Sequence, residues 1–153
     1  MSETCSPLDG AVSLAFLQSF ASEVAAEWGA EGGPSSEEVV RTHVLPRTAE
    51  LACRYADHPE LIEEDQLGRA TFYVCHMWSD RFQLLVQSVS RQLAGAQPAS
   101  TFLFLDMFSV NQHPSADRAN DIRVRHQSGF EKRPVLYEHE SRPHGHVHTN
   151  RPA

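Results

Sequence analysis

The sequence predicts an α/β fold, and three observations carry that expectation. Thr71-Phe-Tyr-Val-Cys75 and Thr101-Phe-Leu-Phe-Leu105 are short apolar runs, rich in β-branched and aromatic residues, of the kind that form strands buried on both faces. Between them Phe82, Leu85, Val86, Val89 and Leu93 recur at spacings of three and four, the stripe of an amphipathic helix. Strand, helix, strand in this order is a βαβ unit, whose strands run parallel and are joined by a right-handed crossover. A chain of 153 residues with 41% apolar residues is enough for one domain with one core.

The other elements follow in chain order. Leu14, Phe16, Leu17, Phe20, Val24 and Trp28 predict a helix over residues 9–28, stopped by Gly29 and by Gly32-Gly33-Pro34. Ser35-Ser36-Glu37-Glu38 supplies an N-cap and first-turn carboxylates for a second helix, which Pro46 is expected to interrupt. Thr48 through Tyr55 reads as a further helical segment with Leu51 and Tyr55 on one face, ended by His58-Pro59. Residues 57–69 are acidic and turn-like, a connector with room for one helical turn before Gly68. Asp80 is placed to cap the helix that runs through Leu93 and ends at Gly95 and Pro98. Beyond His113 no apolar period is sustained, even in Val135-Leu136-Tyr137, so residues 114–153 are expected to be largely disordered. The expected organisation is a helical N-terminal region (1–60), a βαβ core (61–113) and a His/Pro-rich tail (114–153).

Charge and cysteine content narrow the function classes. Residues 1–112 carry 6 Arg and 15 Asp/Glu for a net −9, whereas residues 113–153 carry 7 Lys/Arg and 5 Asp/Glu for +2. An acidic body without a lysine repels phosphates, so no nucleic-acid partner is expected. No window approaches eighteen apolar residues and the first fifteen lack the pattern of a signal peptide, so neither a membrane partner nor a secretory route is expected, and the cytoplasm is the expected location. Cys5, Cys53 and Cys75 are widely spaced and suggest neither a disulfide framework nor a zinc knuckle; Cys75, inside an apolar run, reads as an inert core thiol.

Parallel strands end on one edge of the sheet, and ligand sites of open α/β sheets form there. The βαβ reading therefore gathers His76 and Trp78, after the first strand, with Asp106, Asn111, Gln112 and His113, after the second, into one candidate site. His76 and Asp106 can form a titrating polar site, or bond to each other and to loop backbone and simply hold the strand ends. Trp78 can stack on a nicotinamide or adenine ring, or sit in the core. Asn111 and Gln112 can bind a ribose or phosphate, or form the loop. Cys75 beside His76 is no nucleophile and base pair, because neighbours in a strand point to opposite faces.

The stretches VCHMWSDRFQLLVQSV and TFLFLDMFSVNQH resemble a TIR-like family of protist and algal proteins. In that family a strand ends in a Ser-His-Ala-Trp type motif, a helix carries Phe-x-x-Leu-Val, and the next strand ends in Asp-Ile-Phe-x-x-Asn-Gln-His. Fungal heterokaryon-incompatibility domains show related motifs. The matching residues are Cys75, His76, Met77 and Trp78, then Phe82, Leu85 and Val86, then Asp106, Met107, Phe108, Asn111, Gln112 and His113, within residues 45–113. The first motif departs from the pattern, with Cys75 in place of Ser and Met77 in place of Ala.

The resemblance implies a partial flavodoxin-like, TIR-like parallel sheet and a signalling or protein-interaction role, with other proteins and further copies of the chain as partners. It also implies NAD as a ligand if the pocket is functional, and NAD cleavage as the alternative activity. The family's downstream Arg-x-Trp-Cys-x-x-Glu segment, counterpart of the helix that carries the catalytic glutamate, has no match after His113, so Glu131, Glu138 and Glu140 receive no catalytic role. The expected reading is a non-catalytic module, marginally stable or prone to associate, because two parallel strands and one helix leave open edges and a bare face. A third reading makes the tail a metal binder through His144, His146 and His148, whose alternation can point the rings to one side of an extended chain.

Overall fold

The computed structural model describes residues 10–29, 32–114 and 135–137. Its centre is a mixed sheet of five short strands in the order β2-β1-β4-β3-β5: β1 (Ala11–Ser13), β2 (Leu67–Gly68), β3 (Phe72–Cys75), β4 (Phe102–Phe104) and β5 (Val135–Tyr137). The strand pair expected from the βαβ pattern is present. β3 and β4 run parallel with Phe72 opposite Leu103 and Tyr73 opposite Phe104, and α4 (Phe82–Gln92) connects them.

The α/β class stands, yet the sheet is not purely parallel. The segment expected to open as a helix at residue 9 first forms β1, antiparallel to both β2 and β4. All three β1 residues are buried, and Ser13 ends the strand by capping α1 (Leu14–Trp28), its hydroxyl accepting from the Phe16 N–H at 3.0 Å. The strand-to-helix switch costs no loop because Ser13 keeps extended backbone (φ −65°, ψ 151°) while its side chain starts the helix. Gly68 lets β2 lie flat against this centre, since a Cβ there would stand 2.9 Å from the Phe102 ring.

Side chains alternate across the sheet as the period of two requires. Val12, Val74, Leu103 and Leu136 face the main core, joined there by Leu14, Phe16, Leu17, Phe20 and Val24 of α1 and by Phe82, Leu85, Val86 and Val89 of α4. Ala11, Tyr73 and Phe104 face the opposite side with Ala70 and Val110. Within the main core Phe16, Phe20, Tyr55 and Phe108 form an edge-to-face cluster, Phe20 and Phe108 lying 4.9 Å apart at 80°.

The second helix begins as expected. Ser35 accepts from the Glu38 N–H at 3.2 Å and donates its own N–H to Glu38 Oε2 at 3.0 Å, a full capping box. Pro46, expected to interrupt, is instead carried inside the helical run. α2 (Ser36–Val39) widens into a π-helical turn (Val40–Val44) and continues as α3 (Leu45–Thr48). The Leu45 N–H reaches back five residues to the Val40 carbonyl, and this widening makes room for a residue that lacks an N–H and crowds the carbonyl four positions earlier.

The helix does not extend to Tyr55. After Thr48 the chain turns, Ala52 takes a left-handed φ of 47°, and a 3₁₀ turn covers Tyr55–Asp57. Leu51 is exposed and Tyr55 buried, so they do not share a face. The expected single turn of the acidic connector is the 3₁₀ turn Glu64–Gln66.

Three further expectations are corrected. Asp80 does not cap α4: the N-cap is Arg81, without a side-chain bond, and it is the Asp80 carbonyl that is used, accepting from the Ser36 N–H at 3.0 Å. Cys75, read as a core thiol, is exposed at the end of β3. Val135–Tyr137, placed in a disordered tail, forms β5 parallel to β3, with Leu136 in the main core. The rest of the tail lies outside the described residues. Among those residues no helix is long and apolar enough to cross a membrane.

Candidate functional site

The shared edge of β3 and β4 bears an open cleft of about 500 Å³, lined by Glu37, Val40, Arg41, Leu45, Trp78 and Gln112. Two of the six sequence candidates, Trp78 from the end of β3 and Gln112 from beyond β4, thus meet on one wall. The opposite wall is the helical run from α2 to α3. Backbone bonds from the Glu37 N–H to the Trp78 carbonyl (3.0 Å) and from the Ser36 N–H to the Asp80 carbonyl (3.0 Å) clamp the walls together and satisfy donors that a helix start leaves open.

Trp78 packs against the main core, as the second of its two readings expects, and also lines the cleft. Its ring lies against that of His76, centroids 4.9 Å apart and planes 54° apart. Both ring nitrogens of His76 are buried and meet no hydrogen-bond partner among the described residues. Burial holds the imidazole below its ordinary range, against the opposing pull of the Asp106 carboxylate, the Met77 backbone and Asp80.

The residues after β4 are used differently. α5 (Asp106–Ser109) seats Met107 and Phe108 in the core, and the Asp106 carbonyl accepts from Gln112 Nε2 at 2.7 Å and from the Val110 N–H at 3.2 Å. Gln112 also donates to the Val110 carbonyl at 3.1 Å. Asn111 donates through Nδ2 to the Ala52 carbonyl at 2.8 Å and accepts from the His113 N–H at 3.0 Å. His113 Nε2 lies 2.8 Å from Thr48 Oγ1. That hydroxyl donates to the Val44 carbonyl at 2.7 Å, so it accepts here and His113 carries the proton on Nε2. Asn111 and His113 therefore act as latches that tie the loop after β4 to the end of α3.

The sequence reading missed the cleft wall of Glu37, Val40, Arg41 and Leu45. Glu37, Arg41 and Leu45, spaced by four with Val40 three after Glu37, lie on a helix that a capping box announces, but nothing local showed what the face would meet. It also missed a polar seam that fixes α1 to the helical run. Buried His43 sits 2.6 Å from Glu27 Oε2 and 2.8 Å from Thr42 Oγ1, and Arg47 pairs with Glu23 while lying 5.8 Å over the Phe20 ring. Arg47 also reaches the Tyr55 hydroxyl at 3.4 Å, and burial pushes that phenol up while Arg47 opposes the shift. Burial, with help from Asp57, raises the Cys53 thiol away from its reactive thiolate form.

Among the described residues no group of three or more His, Cys, Asp or Glu is arranged to hold a metal ion. His144, His146 and His148 lie outside the described residues. No family model matches the chain, and neither a curated protein nor a solved structure matches it.

Proposed function

We propose that the chain is a cytoplasmic TIR-like signalling and interaction module that acts by binding other proteins, further copies of itself included, and not by turning over a nucleotide. The observation that carries this reading is how the second motif is used. Asn111, Gln112 and His113 spend their polar atoms on Ala52, Asp106, Val110 and Thr48, so the motif builds a fixed face instead of presenting a reactive one. Beside that face, Val40, Leu45 and Trp78 with Glu37 and Arg41 give the cleft the apolar centre and charged rim typical of protein contacts. Sedimentation of the full chain over a wide concentration range tests the reading. Reversible self-association is expected, and a chain that stays monomeric at every concentration would sink it.

One observation favours a second reading, NAD cleavage: the buried, unpartnered nitrogens of His76 lie near Asp106 at the edge where α/β sheets receive ligands. NAD⁺ consumption by the purified chain, lost in His76→Gln, would replace the first reading with this one.

A further inference from the structure

The cleft wall carries two opposite charges that the fold itself does not use. The ion pairs among the described residues join His43 to Glu27, Arg47 to Glu23 and Arg54 to Asp57. Glu37 and Arg41 line the cleft, are exposed, and belong to none of these pairs. They stand four positions apart on the helical run, with Val40 between them in the same wall. On the facing wall Trp78 is half-buried, and Met77, its neighbour in the chain, is 50% exposed.

Most approaches between two copies bring like charges together, because residues 1–112 carry 15 Asp/Glu against 6 Arg. Two of those arginines, Arg47 and Arg54, are already held by carboxylates. A contact between copies therefore needs a face that brings its own cation beside an acid. The helical run meets this need when it packs antiparallel on itself about a two-fold axis, since Glu37 of each copy then lies opposite Arg41 of the other. Symmetry makes both pairs at once. Val40 falls near the axis, where an interface is apolar, and the charges fall outside it. A partner of uniform charge would satisfy one of the two groups and repel the other.

We propose that the cleft wall formed by the α2 to α3 run is a two-fold interface with a second copy of the chain, fastened by Glu37 of each copy on Arg41 of the other. The inference rests on the interaction-module reading and names the surface by which copies join. Leu45 and Trp78 flank the charge pairs and add apolar area. Closed symmetry stops the association at a dimer.

Sedimentation equilibrium of the full chain tests this with the wild type, Glu37→Arg, Arg41→Glu, and an equimolar mixture of the two variants. The wild type is expected to dimerise. Each variant alone sets two like-charged pairs across the axis, so its dimer is expected to be at least about ten-fold weaker. The mixture is expected to recover the association as a heterodimer, because one copy then offers two cations and the other two carboxylates. Both positions are exposed, so the variants are expected to keep the fold, and far-UV circular dichroism checks that they do. A wild-type dimer that either variant leaves undiminished overturns the two-fold interface, and so do weakened variants whose mixture does not recover. Either result spares the interaction module, whereas a wild type that stays monomeric at every concentration overturns both.

Discussion

β3 and β4 lie side by side, run the same way and end at the same edge, yet the chain treats their ends in opposite ways. After β4 the polar side chains of Asn111, Gln112 and His113 find partners, and Phe108 is buried in the aromatic cluster. After β3, His76 keeps two buried nitrogens without partners among the described residues, and Trp78 divides itself between core and cleft. Buried polar groups are normally satisfied, so an unsatisfied one marks a place where fold stability has not decided the residue. The β4 end is a fastening, and the β3 end keeps buried polar atoms that the described residues do not satisfy.

The hardest break of this contrast falls on the fastening. Phe108→Ala removes a fully buried ring from the centre of the cluster and is expected to lower stability by ~3–5 kcal/mol, measured by urea denaturation. Asn111→Ala removes the bonds to the Ala52 carbonyl and the His113 N–H, both within reach of solvent, and is expected to cost ~0.5–1.5 kcal/mol in the same measurement. A cost near zero would show that the latch is ornamental and that the two strand ends do not differ.

The β3 end is expected to respond in the other direction. His76→Leu removes two unsatisfied nitrogens from a buried site, and a gain of about 1 kcal/mol is expected. The same residue sets a pH dependence. Its folded value lies below the ordinary 6.5, so between the two values the unfolded chain binds more protons and stability increases with pH. The contribution is present above about pH 6.5 and is lost as pH falls through the folded value. Denaturation at pH 7.5 and 5.5 should show a drop in the wild type that His76→Leu reduces, and equal drops would remove His76 as the cause.

The smallest effect sharpens the latch. Ala52 holds a left-handed φ of 47°, a conformation that costs an L residue ~1–2 kcal/mol. Ala52→Gly relieves that strain but loosens the unfolded chain, for an expected net gain of ~0.5 kcal/mol in thermal unfolding. A loss would mean that the Ala52 methyl has a packing role.

Much of the site was legible because it depends on local periods. Phe82, Leu85, Val86 and Val89 form the buried stripe of α4, the runs at Phe72 and Phe102 are β3 and β4, and their parallel pairing brings Trp78 and Gln112 together. The misses fall where a short segment takes its structure from distant partners. Ala11–Ser13 continues the apolar pattern of α1, and only β2 and β4 make it a strand. Val135–Tyr137 is too short to show a period, and only β3 gives it one. Pro46 stops a regular helix, and only a π-helical turn lets it pass.

The sequence by itself determined the α/β class, the Ser35 cap, the amphipathic helices and the convergence of two strand ends, because each follows from residue spacing or from a bond within a few residues. Tertiary structure alone decided that β1 lies inside the sheet, that Glu37, Val40, Arg41 and Leu45 wall the cleft, and that Asn111 and His113 fasten while His76 waits. Those outcomes depend on which polar atoms meet across long stretches of chain, where a hydrogen bond is made or left open by geometry that residue type does not encode.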